Sequence, residues 1–379
     1  MSGKILVVAG EASADLHASA VVKRLKNQQP EIDVYGVGGK HLKEAGARIW
    51  FDFSSIGVVG VWEVLPKLKY FLDARKQLLE SIEKEKPDLV LLLDLPDFNL
   101  SLAKKIKEIN PSQKIVYYIS PQIWAWRRWR VRAVKKYIDL MLVIFPFEVE
   151  FYQSAGVPVK FVGHPLLERI HPSQSREELR KKFQVGTKQF LLAFLPGSRK
   201  EELRLYLPRS LPALERLKKE FGIKIILARA PTLEQEFLEK YLSQYPEILE
   251  IISGEVYDLL FASDLALVGS GTATLETALA GVPMVILART SWLNYLLVRP
   301  LVHTPFYGLP NLIAGKEIAV ELVMGAVNSR RIYQELSRFL LSSEQREQAK
   351  KELEQIRNKL GEKKASQEVA EQILSLLSH

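Results

Sequence analysis

The stretch DLALVGSGTATLETALAGVPMVILA, residues 264–288, decides the fold. Residues 264–268 form a short continuous apolar run, the pattern of a parallel strand covered on both faces. Residues 272–280 carry Leu275 and Leu279 at helical spacing, Gly281 is a C-terminal stop, and a second apolar run follows. Strand, glycine turn and helix in this order aim free backbone N–H groups and the positive end of a helix dipole at one point, where phosphate binds. Neither familiar nucleotide fingerprint fits. Thr274 stands where a dinucleotide fold wants its third glycine, and there is no Walker A lysine. An empty tight turn would use the same letters, so the loop needs company before it reads as a site.

Similar apolar runs recur along the chain with helical segments between them: KILVVAG, DVYGVGG, DLVLLLD, KIVYYIS and DLMLVIF, then FLLAFLPGS, KIILARA, EIISG, DLALVGS and PMVILA. This alternation predicts parallel sheets flanked by helices, an α/β class. The polar stretch 168–189 breaks the rhythm, and residues from about 329 onward are charged and helical. We therefore expect one doubly wound domain over 1–167, a second over 168–345, and a helical segment over 346–379. The two domains are expected to face each other across a cleft, where open α/β sheets present their strand ends to ligands.

The length of 379 residues suits two domains. There is no cysteine, so disulfides and thiolate catalysis are excluded. No uninterrupted apolar run reaches membrane-spanning length and no leader precedes the first strand, which predicts a cytoplasmic protein. A net charge of +9 favours anionic partners: nucleic acid, phosphorylated small molecules or an anionic lipid surface.

Five further stretches bear on chemistry. LPGSRKEE (195–202) opens the second half with another strand-to-glycine turn, and Arg199 beside Ser198 suits a pyrophosphate because its planar fork makes paired bonds. With 269–272 it makes two phosphate-friendly loops in one domain, and Glu276 is placed to accept from ribose hydroxyls. LLLDLPDFNL (91–100) ends a buried strand with Asp94 and Asp97, an acid/base pair or a cap plus a turn aspartate. GEASAD (10–15) puts Ser13 and Asp15 at the same rim, with His17 beyond it and His164 in VGHPL. SPQIWAWRRWRVRAVKKY (120–137) interleaves tryptophans with arginines and lysines, suiting single-stranded nucleic acid or lipid headgroups. SSIGVVGVWEVLPKLKYFL (54–72) is apolar enough for core or for a greasy surface. No Asp-x-Asp triplet or ligand-spaced histidine pair occurs, so no protein-bound metal is expected.

Taken in order, GEASAD, YGVGG, GVVGVWEVL, DLPDFNL, SPQIWAWRRWR, FPFEVEFY, VGHPL, LPGSRKEE, GSGTATLETAL and GLPNLIAG resemble the lipid-A-disaccharide synthases, inverting glycosyltransferases of family 19 with a GT-B fold. One position departs from that family: Ala14 stands where its first loop usually carries a second glycine. The resemblance implies two Rossmann-like domains with a C-terminal helix able to cross back to the first. It also implies a transfer from UDP-2,3-diacylglucosamine to 2,3-diacylglucosamine 1-phosphate (lipid X), giving lipid A disaccharide 1-phosphate and UDP.

On that resemblance Asp97 is the general base. Ser198, Arg199, Gly269, Ser270, Gly271, Thr272, Glu276 and Asn311 face the donor, with Glu317 near them. Ser13, Asp15, Trp62, Trp124 and Asp97 face the acceptor. Residues 56–71 and the Trp/Arg segment receive acyl chains and hold the enzyme on the cytoplasmic face of the inner membrane. No cofactor and no metal are expected, and a homodimer is left open. The competing readings are a UDP-N-acetylglucosamine epimerase, another GT-B transferase with a lipid acceptor, and a nucleic-acid-binding protein. The last lacks any RNP, KH or zinc pattern.

Overall fold

The computed structural model describes residues 3–51, 64–292, 295–296 and 304–378. Of the expected site residues Trp62 lies outside these, as does most of the apolar stretch 54–72. The chain folds as two units, residues 1–168 with 360–379, and residues 169–359.

The first unit holds strands β1 (Lys4–Ala9), β2 (Asp33–Val37), β3 (Arg48–Phe51), β4 (Leu89–Leu93), β5 (Lys114–Tyr118), β6 (Leu140–Val143) and β7 (Val159–Phe161). They form one sheet in the order β3-β2-β1-β4-β5-β6-β7. Every pairing is parallel. Helices α1 (Ala12–Gln28), α2 (Lys40–Glu44), α3 (Val64–Glu85), α4 (Pro96–Ile109), α5 (Val131–Tyr137) and α6 (Pro146–Ser154) connect them. All five residues of β4 are buried, as a central parallel strand with helices on both faces requires, and each leucine side chain so buried stabilises by about 1.5–3 kcal/mol.

The second unit repeats the plan. Its strands are β8 (Leu191–Leu195), β9 (Lys224–Arg229), β10 (Glu250–Ser253), β11 (Leu265–Gly269), β12 (Met284–Ala288) and β13 (Val320–Val323). Their order is β10-β9-β8-β11-β12-β13, again parallel throughout. Helix α7 (Arg176–Lys182) precedes β8, and α8 (Lys200–Phe221), α9 (Gln235–Leu242), α10 (Val256–Ala262) and α11 (Thr272–Leu279) connect the strands.

The ten expected strands are all present. Two parallel Rossmann-like sheets make this a GT-B fold, and the C-terminal helix does return to the first unit. That helix, Ala365–Leu377, buries Val369, Ala370 and Ile373 and packs on α1, whose Ala18, Val21, Val22 and Leu25 are buried. Glu168 fixes its first turn, accepting from Ser366 N (2.8 Å) and Ser366 Oγ (2.6 Å). Among the described residues no helix is long and apolar enough to cross a membrane.

Each strand order reverses once, between β1 and β4 and between β8 and β11. Open α/β sheets bind ligands at that reversal, outside the carboxyl ends of the strands. The four loops singled out from the sequence are the ones leaving these four strands.

Candidate active site

In the first unit the β1 and β4 loops touch. A Cβ added to Gly10 would fall 1.8 Å from Leu95 Cδ1, so any side chain there would displace Leu95. Asp94 (φ 57°) and Leu95 (φ 40°) are both left-handed, a conformation that costs non-glycine residues on the order of 1–3 kcal/mol each. Three bonds hold this turn. Fully buried Asn99 donates through Nδ2 to Leu93 O (3.0 Å) and Asp94 O (2.7 Å), and Tyr117 Oη donates to Asp94 O (2.5 Å). The turn delivers Pro96 to the start of α4 and Asp97 to its first turn. Asp94 itself is turned inward, and burial pushes its carboxyl above the ordinary range. Asp97 is the outward carboxylate, 74% exposed. It pairs with Arg130 and lies 3.8 Å from Arg127 Nη1, whose guanidinium rests 4.2 Å over the Trp126 ring.

Ser13 is exposed in the first turn of α1. Ala14, where the family carries glycine, is a buried helical position that alanine suits better. Asp15 is turned into the fold. It is buried, with Oδ1 accepting from Gly39 N (2.7 Å) and Leu42 N (3.1 Å) and Oδ2 from His41 N (2.9 Å). It satisfies the free N–H groups at the start of α2.

Trp124 is also turned inward. It is buried, and its Nε1 donates to Glu148 Oε1 (3.0 Å). Glu148 also accepts from Ile144 N (3.2 Å) and Phe145 N (3.0 Å), yet burial raises its carboxyl to about 7. Trp126 and Trp129 are the exposed rings, at 37% and 60%. His164 is buried, its Nδ1 accepts from Leu166 N (3.1 Å), and burial with His17 nearby holds it down at about 3. It stays neutral, a packed histidine without a charge to offer phosphate.

In the second unit the β8 loop turns at Gly197 (φ 113°), where a Cβ would strike Glu202 Oε2 at 2.3 Å. Glu202, unmarked by the sequence reading, holds this loop. It accepts from Ser198 N (3.3 Å) and lies 3.5 Å from Arg199 Nη1. Arg199 is otherwise 75% exposed at the N-cap of α8. The β11 loop runs beside it in sheet order. Ser270 N donates to Leu287 O (2.8 Å) and Ser270 Oγ to Tyr307 O (2.9 Å). Gly271 (φ 148°) caps α11, and Gly271 and Thr272 are exposed with no side-chain cap bonded to the helix start. Those amides are the donors an anion would use.

Glu276, one turn into α11, lines a cavity of about 440 Å³ with Arg169, His171, Ser173, Glu255 and Tyr257. Tyr257 Oη donates to Glu276 Oε1 (3.2 Å). Burial pushes the Glu276 carboxyl up, while Tyr257 and Arg169 pull it back.

Asn311 is turned inward as well. It is fully buried, donates to Ala319 O (2.7 Å) and Glu321 Oε1 (2.8 Å), and accepts from Ile318 N (2.8 Å) and Ala319 N (2.9 Å). All its bonds are made internally. Glu321 passes the support on, accepting from Tyr307 N (2.8 Å) and Gly308 N (2.8 Å) next to the carbonyl that holds Ser270. Glu317 accepts from Glu321 N (3.2 Å). Among the described residues no group of three His, Cys, Asp or Glu is placed to hold a metal ion.

Residues 5–375 match the model of the lipid-A-disaccharide synthetase family. The chain is 41% identical to the lipid-A-disaccharide synthase of Syntrophus aciditrophicus (strain SB), covering 98% of this chain and 97% of that one. It is 38% identical to that of Myxococcus xanthus (strain DK1622), covering 99% and 97%. Among solved structures it is similar to a UDP-GlcNAc 2-epimerase from Neisseria meningitidis bound to UDP-GlcNAc, with TM-score 0.67 and 14% identity over 98% and 100% of the two chains. A glycosyltransferase from Rickettsia africae ESF-5 gives TM-score 0.59 and 12% identity over 100% and 98%. At such identities the structures speak for the fold alone.

Proposed function

The chain belongs to the lipid-A-disaccharide synthase family, a glycosyltransferase of lipid A biosynthesis, and from that membership we propose how its residues divide the reaction. The family implies UDP-2,3-diacylglucosamine as donor and lipid X as acceptor. Asp97 takes the proton from the acceptor's 6-hydroxyl as that oxygen attacks the donor's anomeric carbon from the face opposite the leaving group. The new C–O bond forms with inversion, the bond to the diphosphate breaks, and UDP departs with the electron pair. Proton transfer of this kind contributes roughly 100- to 10,000-fold.

Charge growing on the diphosphate is met by Arg199 and by the N–H groups at the start of α11. Glu276 accepts from the ribose hydroxyls while Tyr257 occupies its other side. Ser13 is the exposed acceptor-side hydroxyl. Asp15, Asn311 and Trp124 support these loops from within. Trp126, Trp129 and the neighbouring arginines form an apolar and basic patch that holds the enzyme on the anionic cytoplasmic face of the inner membrane.

One observation carries this reading: the outward carboxylate and both anion-ready loops leave the strands at which the two sheets reverse order. The test is an assay with lipid X and UDP-2,3-diacylglucosamine in detergent, with and without chelator, on the wild type and Asp97→Asn. The expected result is chelator-insensitive turnover that Asp97→Asn abolishes while UDP affinity is kept. A near-normal rate in Asp97→Asn removes Asp97 from the mechanism. Formation of an epimer from UDP-sugar alone would favour the epimerase reading instead.

A further inference from the structure

Arg209 and Arg289 carry charge that the reaction described above does not use. Arg289 directly follows β12, two residues beyond the carbonyl of Leu287 that accepts from Ser270 N. It therefore belongs to the same rim as residues 269–272. Tyr206 ties the region together. Its hydroxyl accepts from Arg289 N (3.3 Å), and its ring lies 3.1 Å from where a Cβ on Gly269 would sit. Arg209 is one helical turn beyond Tyr206 on α8, on the same face.

Both arginines are half-buried as residues. Arg209 Nη1 donates to Leu205 O (2.8 Å) and Arg289 Nη1 to Met324 O (2.7 Å), while Arg289 Nε is buried without a partner. Among the described residues neither arginine reaches a carboxylate. Residues 277–316 around Arg289 contain no aspartate or glutamate, and the carboxylate that Tyr206 feels, that of Glu202, is held by Ser198 N. The two charges also feel each other: burial and then Arg289 hold Arg209 below its ordinary value. Two partly desolvated cations without a counter-charge are unfavourable, and a buried unpaired donor is costly, unless an anion completes the site.

We propose that Arg209 and Arg289 form a second phosphate-binding site on the second unit, beside the Ser270 loop and separate from Arg199. The ligand is a phosphate group of one of the two substrates, either the donor's diphosphate or the acceptor's 1-phosphate; this identification of sources rests on the family reading.

The test uses the full chain with Arg209→Gln, Arg289→Gln, Arg289→Lys and Arg199→Ala, reading unfolding midpoint without ligand, Kd for UDP, and KM for lipid X in detergent. Removing a repelling charge should leave the ligand-free midpoint of Arg209→Gln equal to or above wild type. The same variant should weaken a phosphate ligand by about tenfold or more, the worth of a charge-assisted pair. A weaker UDP Kd identifies the diphosphate; a raised lipid X KM with unchanged UDP Kd identifies the 1-phosphate. Arg289→Gln should behave alike, and if it does not fold, Arg289→Lys keeps a cation while losing the fork. UDP Kd and lipid X KM within twofold of wild type in all of these variants would overturn the proposal. So would a fall in the ligand-free midpoint of Arg209→Gln, which marks a structural role. If Arg199→Ala alone loses UDP and the Arg209 and Arg289 variants keep the wild-type lipid X KM, the proposal fails and the donor-loop reading stands. If Arg199→Ala keeps UDP while Arg209→Gln loses it, the donor-loop reading fails and the proposal stands.

Discussion

Tyr257 and Glu276 share a hydrogen bond of 3.2 Å that joins the first turn of α10 to the second turn of α11. It fixes one carboxylate oxygen and leaves the other for a ligand in the adjoining cavity. Tyr257→Phe should therefore weaken UDP several-fold, raising donor KM with kcat little changed, as titration calorimetry and steady-state kinetics will show.

The same pair predicts a pH effect. Burial raises the Glu276 carboxyl and the Tyr257 bond lowers it. UDP affinity that depends on the charged form is present above the folded pKa and lost as pH falls through it. Without the tyrosine hydroxyl that pKa climbs, so acid loss of UDP binding should begin at higher pH in Tyr257→Phe than in wild type.

Asn99 holds the left-handed turn that sets Asp97. Asn99→Ala removes both side-chain bonds to Leu93 O and Asp94 O, and should cost about 2–3 kcal/mol in urea unfolding. Turnover should fall further than the folded fraction does, because Asp97 then sits on a turn with less to hold its strained backbone.

Glu148 makes stability depend on pH. Burial raises it from 4.5 to about 7, so the native state binds its proton more tightly than the unfolded chain. That contribution is fully present below the unfolded value and is lost as pH rises through about 7, on the order of 3 kcal/mol in all. Unfolding midpoints should thus fall between pH 4.5 and 8 by more in wild type than in Glu148→Gln.

Trp126 and Trp129 are exposed beside Arg127, Arg128 and Arg130. Trp126→Ser with Trp129→Ser should reduce binding to anionic vesicles by about tenfold or more in flotation assays, from the apolar area no longer buried in lipid. The remaining binding should fall steeply with salt. Equal flotation of variant and wild type would remove this patch as the membrane contact.

The central strands were legible because burial on both faces writes them as unbroken apolar runs. The strands that escaped notice, β3, β7 and β13, are three or four residues long and lie at sheet edges, where half-exposure erases the pattern. The loops of the site were legible from glycine and strand ends. Side-chain direction was not. Asp15, Trp124 and Asn311 have the residue types of a site but point inward, each bonded to groups that sequence spacing does not mark. Glu202, Tyr257 and Glu148 were missed for the same reason: their roles depend on partners brought close only by folding.

The helix Ala365–Leu377 has a consequence for synthesis. The first unit is interrupted in the sequence by the whole of the second, so a ribosome delivers α1 long before the segment that covers it. Until residues 365–377 emerge, the part of α1 that this helix packs against stays open to water and to passing chaperones. The early half of this polypeptide thus waits for a piece made only after the whole second unit, and a nascent chain stalled short of that point leaves one side of α1 uncovered.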